Sequence, residues 1–253
     1  MIVTRDKTMK INRMIALAVV AGVAAILILM EQFGHLQYRH DLQVEMYKAD
    51  VVTILHRGPF QYDGLGTGLW LTEDKVLTNC HVAQAVGDRV RLMNSDKDQG
   101  WKGTVTHCSK EFDLAIILAD YRNTRYIEVK IGDVPKIGAP IYTAGYGRGM
   151  PLTLKTGFAG YETDTGWHIN TSINPGDSGS PIFNQDQELV GVIFMGMVQP
   201  IRTYSNPVYI PVSNSGLAIN IDKVKKFLKE SKPVVDSSPF TRTSRPAIRR
   251  VMK

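Results

Sequence analysis

The chain has 253 residues, of which 43% are hydrophobic and 21% are charged, and its formal net charge is +6. This length suits one domain with appendages. The positive charge lies at the ends, because residues 1–13 carry +3 and residues 231–253 carry +5, which leaves −2 for residues 14–230. The central region is therefore not a basic platform, and we expect no nucleic-acid partner.

The N-terminus predicts a membrane anchor. Residues 14–30 form an unbroken apolar run of 17 residues, which as a helix would extend about 26 Å and cross a bilayer core. Basic residues precede the run, so we expect residues 1–13 to be cytoplasmic. We interpret this segment as a single-pass signal anchor that is followed by a linker at residues 31–47. The remainder of the chain would then be extracytoplasmic, and periplasmic in a Gram-negative cell. The alternative is a cleaved signal peptide, although no small-x-small site follows.

The rest of the chain has the pattern of an all-β protein. Short apolar runs recur and are interrupted by Gly, Pro, Asn and Asp, which is typical of a barrel or sandwich. Residues 222–230 are predicted to form a helix with apolar side chains on one face. No internal repeat is visible, and no Cys/His cluster or phosphate-binding glycine motif is found, so we expect no metal and no cofactor.

Two segments in the first half carry candidate catalytic residues. The run at residues 68–71, a polar turn and residues 76–78 predict a hairpin that delivers His81 at the end of a strand. Asp113 stands at the start of an aliphatic run expected to be a buried strand.

A third segment, Asn-Pro-Gly-Asp-Ser-Gly-Ser-Pro at 174–181, contains a serine in a tight turn. Its glycines and prolines would expose the Ser178 hydroxyl beside converging backbone N–H groups, as acyl transfer requires. The alternative interpretation is a plain surface turn. The chain order His81, Asp113, Ser178 is the chymotrypsin order, and Ser180 breaks the G-x-S-x-G pattern of α/β-hydrolases.

These segments resemble the HtrA-type (Deg) trypsin-like serine proteases, whose nucleophile loop typically reads I-N-P-G-N-S-G-G-P. Four further segments agree in order: Gly-Thr-Gly-Leu at 66–69, Leu-Thr-Asn-Cys-His-Val at 77–82, Asp-Leu-Ala at 113–115 and Gly-Leu-Ala-Ile at 216–219. The resemblance implies two six-stranded β-barrels of the chymotrypsin fold and a C-terminal helix over residues 48–230. The resemblance is also compatible with a homo-oligomer. Too few residues follow for a PDZ domain, so we expect none.

By this resemblance, Ser178 is the nucleophile, His81 its general base and Asp113 the residue that orients His81. Gly176 and Ser178 would supply the oxyanion hole, with Asp177 as a third candidate. Asp177 is interpreted as a turn former, and its partner is left open. The implied function is a membrane-anchored serine endopeptidase that acts on polypeptides. The alternatives are an inactive or latent binding module on this fold and an esterase that uses the same triad.

The remaining expectations concern specificity, the cysteines and the tail. Six positions are assigned to substrate binding and predict cleavage after small or medium aliphatic residues: Ser172, Ile173, Ile193, Phe194, Met195 and Gly196.

If His81 and Asp113 meet, Cys80 and Cys108 come close and form either a disulfide or two buried thiols. The basic tail at 231–253 is expected to be disordered, either as an electrostatic tether or as a solvated end.

Overall fold

The computed structural model describes residues 17–19, 21–32, 44, 47–48, 50–58, 61–94, 100–201 and 208–231. Its strands close into two six-stranded antiparallel barrels, as the sequence predicts. The first barrel has the strand order β1-β2-β3-β6-β5-β4 and contains β1 (Val51–Gly58), β2 (Gln61–Thr72), β3 (Lys75–Thr78), β4 (Arg89–Met93), β5 (Gly100–Ser109) and β6 (Leu114–Ala119). The short helix α1 (Cys80–Ala83) follows β3.

The second barrel has the order β10-β11-β12-β9-β8-β7. It contains β7 (Pro140–Gly145), β8 (Thr153–Thr163), β9 (Gly166–Asn170), β10 (Pro181–Phe183), β11 (Leu189–Ile201) and β12 (Val208–Asn220). One 3-10 turn, Gly147–Gly149, separates β7 from β8, and the helix α2 (Ile221–Glu230) follows β12.

The strands form where β-branched and aliphatic residues can be buried in a barrel. β6, with the sequence LAIILA, pairs with β3 and β5, and all its residues except Leu118 are buried. The polar turn between β2 and β3 is closed by a 2.8 Å hydrogen bond from Thr72 Oγ1 to Asp74 Oδ1. The predicted hairpin is therefore present.

Three apolar clusters hold the barrels. One fills the first barrel and includes Trp70 and Trp101, whose rings meet edge to face at 5.3 Å. A second fills the other barrel around Ile141 and Trp167. The third contains side chains from both barrels, including Leu77 and Phe183. Because this third cluster joins the two halves, the barrels can place catalytic residues from both at one cleft.

The C-terminal helix matches its prediction and begins one residue earlier. Asn220 is its N-cap, with its side-chain oxygen accepting a 2.9 Å hydrogen bond from the Asp222 N–H. Such a cap satisfies a backbone donor that the helix leaves free. Ile221, Val224 and Phe227 are buried against the protein.

The predicted membrane anchor lies partly outside the described residues. Residues 17–19 and 21–32 are helical, and the large apolar side chains among them are 52–70% exposed. In the described part of the chain, no helix has the length and apolar character that crossing a membrane requires. The predicted cytoplasmic segment, most of the linker and residues 232–253 of the tail are also outside the described residues.

Asp50, just before β1, is a buried carboxylic acid. Its side chain accepts a 2.9 Å hydrogen bond from the Ile127 N–H through Oδ1, while Oδ2 has no partner among the described residues. Loss of hydration raises the pKa of Asp50 from 3.8 to about 7, and the hydrogen bond from Ile127 opposes this change only in part.

Asp50 should make the free energy of unfolding depend on pH. The pKa of Asp50 is higher in the folded protein than in the unfolded chain. Between about pH 4 and pH 7, the Asp50 carboxyl group is therefore protonated in the folded protein and ionised in the unfolded chain. Stability therefore falls as pH rises through that window, by up to about 1.4 kcal/mol per pH unit. We expect the free energy of unfolding of D50N, measured with urea on the full chain in detergent, to depend less on pH than that of the protein with Asp50. Both proteins carry Ser178→Ala to prevent autolysis. Parallel curves for the two proteins would contradict this assignment.

Candidate active site

His81 and Asp113 meet as predicted from their order. His81 lies in α1, three residues beyond the end of β3, and not at the strand end as expected. Its Nδ1 is 2.8 Å from Asp113 Oδ2, and its backbone N–H donates a 3.0 Å hydrogen bond to Asp113 Oδ1. Asn79 holds the Asp113 backbone, with Nδ2 donating to the Asp113 carbonyl at 3.0 Å. A proton on Nδ1 leaves Nε2 of the imidazole as an acceptor.

A disulfide bond joins Cys80 and Cys108 next to this pair. The Sγ atoms are 2.06 Å apart and the Cα atoms 5.1 Å apart. The bond ties α1, which carries His81, to Cys108 near the end of β5, five residues before Asp113, which directly precedes β6. The covalent link therefore connects the segment of His81 with the segment of Asp113.

Ser178 belongs to the second half of the chain, yet the first barrel holds its loop. The Ser178 carbonyl accepts a 2.8 Å hydrogen bond from the Thr67 N–H. Thr67 Oγ1 donates to the Gly176 carbonyl at 2.8 Å. Thr78 Oγ1 in turn donates to the Thr67 carbonyl at 2.7 Å, and Thr78 is three residues before His81. This chain of contacts places the serine loop beside the histidine segment.

Gly179 shows how closely the loop approaches the first barrel. Its φ is +85°, and a Cβ at this position would lie 2.0 Å from the Thr67 carbonyl oxygen and 2.4 Å from Thr78 Oγ1. Only glycine satisfies both the left-handed conformation and this contact. The glycine after Ser178 is therefore required by backbone packing.

The Ser178 hydroxyl donates to the Phe194 carbonyl at 3.3 Å. No hydrogen bond joins it to His81 within the described residues. Attack on a substrate would require the hydroxyl to turn from the β11 carbonyl towards Nε2 of His81.

Two backbone donors in the serine loop are available to a ligand. Within the described part of the chain, neither the Gly176 N–H nor the Ser178 N–H donates a hydrogen bond. The Asp177 N–H, by contrast, donates to the Asn174 carbonyl at 3.0 Å. Of the three candidates for the oxyanion hole, Asp177 therefore has its N–H engaged in the turn.

Asp177 has a partner that sequence reasoning missed. Its side chain is 1% exposed, and Oδ2 accepts hydrogen bonds from Lys155 Nζ and, at 2.7 Å, from the Asn174 N–H. Lys155 is in β8, 22 residues earlier. No local pattern marks it, because strand pairing and barrel closure bring it to the loop.

The glycine-rich segment at residues 145–149 also lies against this loop. A Cβ at Gly145 would be 3.0 Å from Asp177 Oδ1, and one at Gly147 would be 2.9 Å from both carboxylate oxygens. Arg148, with φ +57°, donates from its backbone N–H to the Pro175 carbonyl at 2.6 Å. These glycines therefore let backbone pack directly on the Asp177 carboxylate.

The predicted substrate-binding residues fall in different environments. Ile173 packs against Gly196 and Gly216, since a Cβ on Gly196 would lie 3.5 Å from Ile173 and one on Gly216 only 2.5 Å. Ile193 is fully buried in the core of the second barrel.

The other three predicted pocket residues keep some exposure. Phe194 is half-buried, and Met195 is 43% exposed. Ser172 lines an open groove of about 610 Å³ that also contains Lys155.

Comparison with known proteins now identifies the family. The family model described as "Trypsin-like peptidase domain" matches residues 66–192, which include all three candidate catalytic residues. The chain belongs to the trypsin-like peptidase family. A probable periplasmic serine endoprotease of DegP type from Chlamydia pneumoniae is 28% identical over 137 residues. That alignment covers 50% of this peptidase chain and 28% of the relative, so the chain spans less than a third of the relative's length.

Solved structures support the same fold. The Rv3671c protease of M. tuberculosis in its active form aligns with a TM-score of 0.60 and 21% identity, over 76% of this trypsin-like peptidase chain and 86% of its own. A serine endoprotease from Yersinia pestis aligns with a TM-score of 0.60 and 19% identity, over 74% and 65% of the two chains. The predicted chymotrypsin fold is thus confirmed.

Proposed function

We propose that this protein is a serine endopeptidase that hydrolyses polypeptides through an acyl-enzyme. The observation that carries the proposal is the pair of hydrogen bonds that the Asp113 carboxylate accepts from His81, on a segment that Thr78 and Thr67 connect to the Ser178 loop. The family match and the endoprotease relative support it.

The mechanism follows from the positions of these groups. On substrate binding, the Ser178 hydroxyl turns to His81 Nε2 and attacks the scissile carbonyl, and its proton passes to the imidazole. Asp113 stabilises the resulting imidazolium, and the N–H groups of Gly176 and Ser178 donate hydrogen bonds to the oxyanion. His81 then protonates the amine as the C–N bond breaks. His81 then deprotonates a water molecule, which attacks the acyl carbonyl. As the ester bond to Ser178 breaks, the carboxylic acid product is released and His81 returns the proton to the Ser178 oxygen.

Active-site labelling tests this proposal. We expect a fluorophosphonate probe to label the full chain in membranes and to leave S178A unlabelled, with peptide hydrolysis lost in that variant. S180G is the matched control, because the buried Ser180 hydroxyl has no hydrogen-bond partner among the described residues and should not be needed for labelling. Full labelling of S178A would refute the assignment, and an unlabelled wild type would favour the latent binding module. Turnover of esters without turnover of peptides would favour the esterase.

Specificity is proposed to depend on Ile173. Its contacts with Gly196 and Gly216 place an aliphatic side chain in the space that these two glycines leave open. A large P1 side chain would compete with Ile173 for that space. We therefore propose cleavage after small or medium aliphatic residues, with Phe194, Met195 and Gly196 as the neighbouring wall.

Shortening Ile173 should change this preference. We expect I173A to raise kcat/KM for a P1 Phe or Leu peptide, relative to P1 Val, by about tenfold or more, since each methylene in an apolar pocket contributes about 1–3 kcal/mol. Measuring both substrates on one preparation cancels any loss of folded protein. Ile137→Ala, at an exposed site, should keep the wild-type ratio. An unchanged ratio in I173A would contradict the proposed pocket.

We also propose that residues 14–30 anchor the protease domain, residues 48–230, outside the cytoplasm. The apolar run, the exposed apolar side chains of residues 21–32 and the basic residues before them support this. The name of the Chlamydia relative, a periplasmic protease, points the same way. Extraction of membranes with alkaline carbonate should leave the protein in the pellet. An intact mass that lacks the N-terminal segment would instead indicate a cleaved signal peptide.

A further inference from the structure

The Asp177 carboxylate lies immediately before Ser178 and is buried. It is 1% exposed, and its two hydrogen-bond donors, Lys155 Nζ and the Asn174 N–H, both act on Oδ2. Oδ1 is buried and has no hydrogen-bond partner among the described residues. A buried carboxylate is costly unless a cation compensates it. Lys155 supplies the one full positive charge in contact with this carboxylate in the described structure.

The walls around Asp177 are backbone. Gly145 and Gly147 approach the carboxylate so closely that a Cβ on either would lie within 3.0 Å of its oxygens. These walls provide no charge, and Arg148 directs its guanidinium elsewhere, with Nε donating to Asn174 Oδ1 at 3.1 Å. The carboxylate therefore depends on Lys155, whose own side chain is 12% exposed.

The same aspartate is part of the turn that carries the two free N–H groups. Its N–H donates to the Asn174 carbonyl, and its carboxylate accepts from the Asn174 N–H, so residues 174 and 177 are bonded twice. If Asp177 turned outward to regain hydration, both bonds would be strained or lost. Gly176 and Ser178, on either side, would then change orientation.

We propose that Lys155 is a positioning residue for the nucleophile loop, which neutralises buried Asp177 and thereby keeps the Gly176 and Ser178 N–H groups in place for an oxyanion. The inference rests on the proposed function and adds a residue to it.

Kinetics of three variants of the full chain test the proposal. We expect K155M to lower kcat about 100-fold, the loss typical of one oxyanion donor, with KM changed less than about threefold. D177N removes the charge that Lys155 compensates. The double variant K155M/D177N should therefore recover at least about tenfold of the lost kcat. K225M, which removes an exposed ion pair with Asp133, is the matched control and should keep the wild-type kcat. A wild-type kcat in K155M would overturn the proposal, as would a double variant no better than K155M.

Amide hydrogen exchange gives a second test that does not depend on activity. We expect the Asp177 N–H, bonded to Asn174, to exchange at least about tenfold faster in K155M and to return towards the wild-type rate in the double variant. Equal exchange in wild type and K155M would overturn the positioning role. If wild type were not labelled by fluorophosphonate, the proposed function would fail, whereas this exchange experiment would still decide whether Lys155 holds the loop.

Discussion

Replacing Asp113 by asparagine is expected to lower kcat about 10⁴-fold while the protein remains folded. The carboxylate accepts two hydrogen bonds from His81, from the backbone N–H to Oδ1 and from Nδ1 to Oδ2. Asparagine has one oxygen for these two donors. If it keeps the backbone bond, its NH₂ group faces Nδ1 and selects the tautomer with the proton on Nε2. That tautomer has no acceptor for the Ser178 proton.

The measurement is steady-state hydrolysis of a peptide substrate by D113N and wild type. Asp120→Asn is the control, because Asp120 pairs with Arg89 on the surface of the first barrel. We expect this control to keep kcat within about twofold, as exposed ion pairs contribute little. A loss smaller than about tenfold in D113N would show that His81 does not need Asp113 for its tautomer, and that another residue performs this role.

Replacing Gly179 by alanine is expected to destabilise the protein by about 2–5 kcal/mol and to displace the nucleophile. Part of this cost arises from the φ of +85°, which an L-residue adopts with strain. The rest arises from overpacking, since the new Cβ would lie 2.0 Å from the backbone oxygen of Thr67. A backbone atom held between two strands cannot move aside as a flexible side chain would.

Urea unfolding and fluorophosphonate labelling measure these two effects. Gly100→Ala is the matched control, because its nearest neighbour would be the Leu92 carbonyl oxygen at 3.5 Å, an ordinary contact. We expect Gly100→Ala to unfold within about 1 kcal/mol of wild type and to label normally. If Gly179→Ala matched this control in stability and labelling, the close contact between the serine loop and the first barrel would be disproved.

Much of the fold could be predicted because one local sequence pattern recurs along the chain. Short apolar runs separated by turn residues produce antiparallel strands wherever the turns permit. The hairpin before His81 and the aliphatic strand after Asp113 illustrate this, and both were found at the expected positions. His81 itself is not at the end of the strand as predicted, because the chain forms one helical turn after β3 and the histidine lies in that turn.

The site was less predictable where it depends on the packing of distant segments. Lys155 carries no motif, and its role becomes visible only when β8 is placed beside the serine loop. Ile193 was assigned to a pocket wall from its position in the strand, but it faces the core of the second barrel. Gly145 and Gly147 belong to no motif that the sequence reveals, and only the structure shows that the Asp177 carboxylate lies against them.

The sequence by itself determined which chemistry the chain can carry, because a serine turn, a histidine and an aspartate in a fixed order are local patterns of residue type. It also indicated the β-architecture and the apolar N-terminal segment. The tertiary structure decided the Lys155 partner of Asp177, the two free N–H groups and the bond from Ser178 to the Phe194 carbonyl. Those features depend on distances between segments remote in the chain, and such distances are set only when both barrels close and share a core.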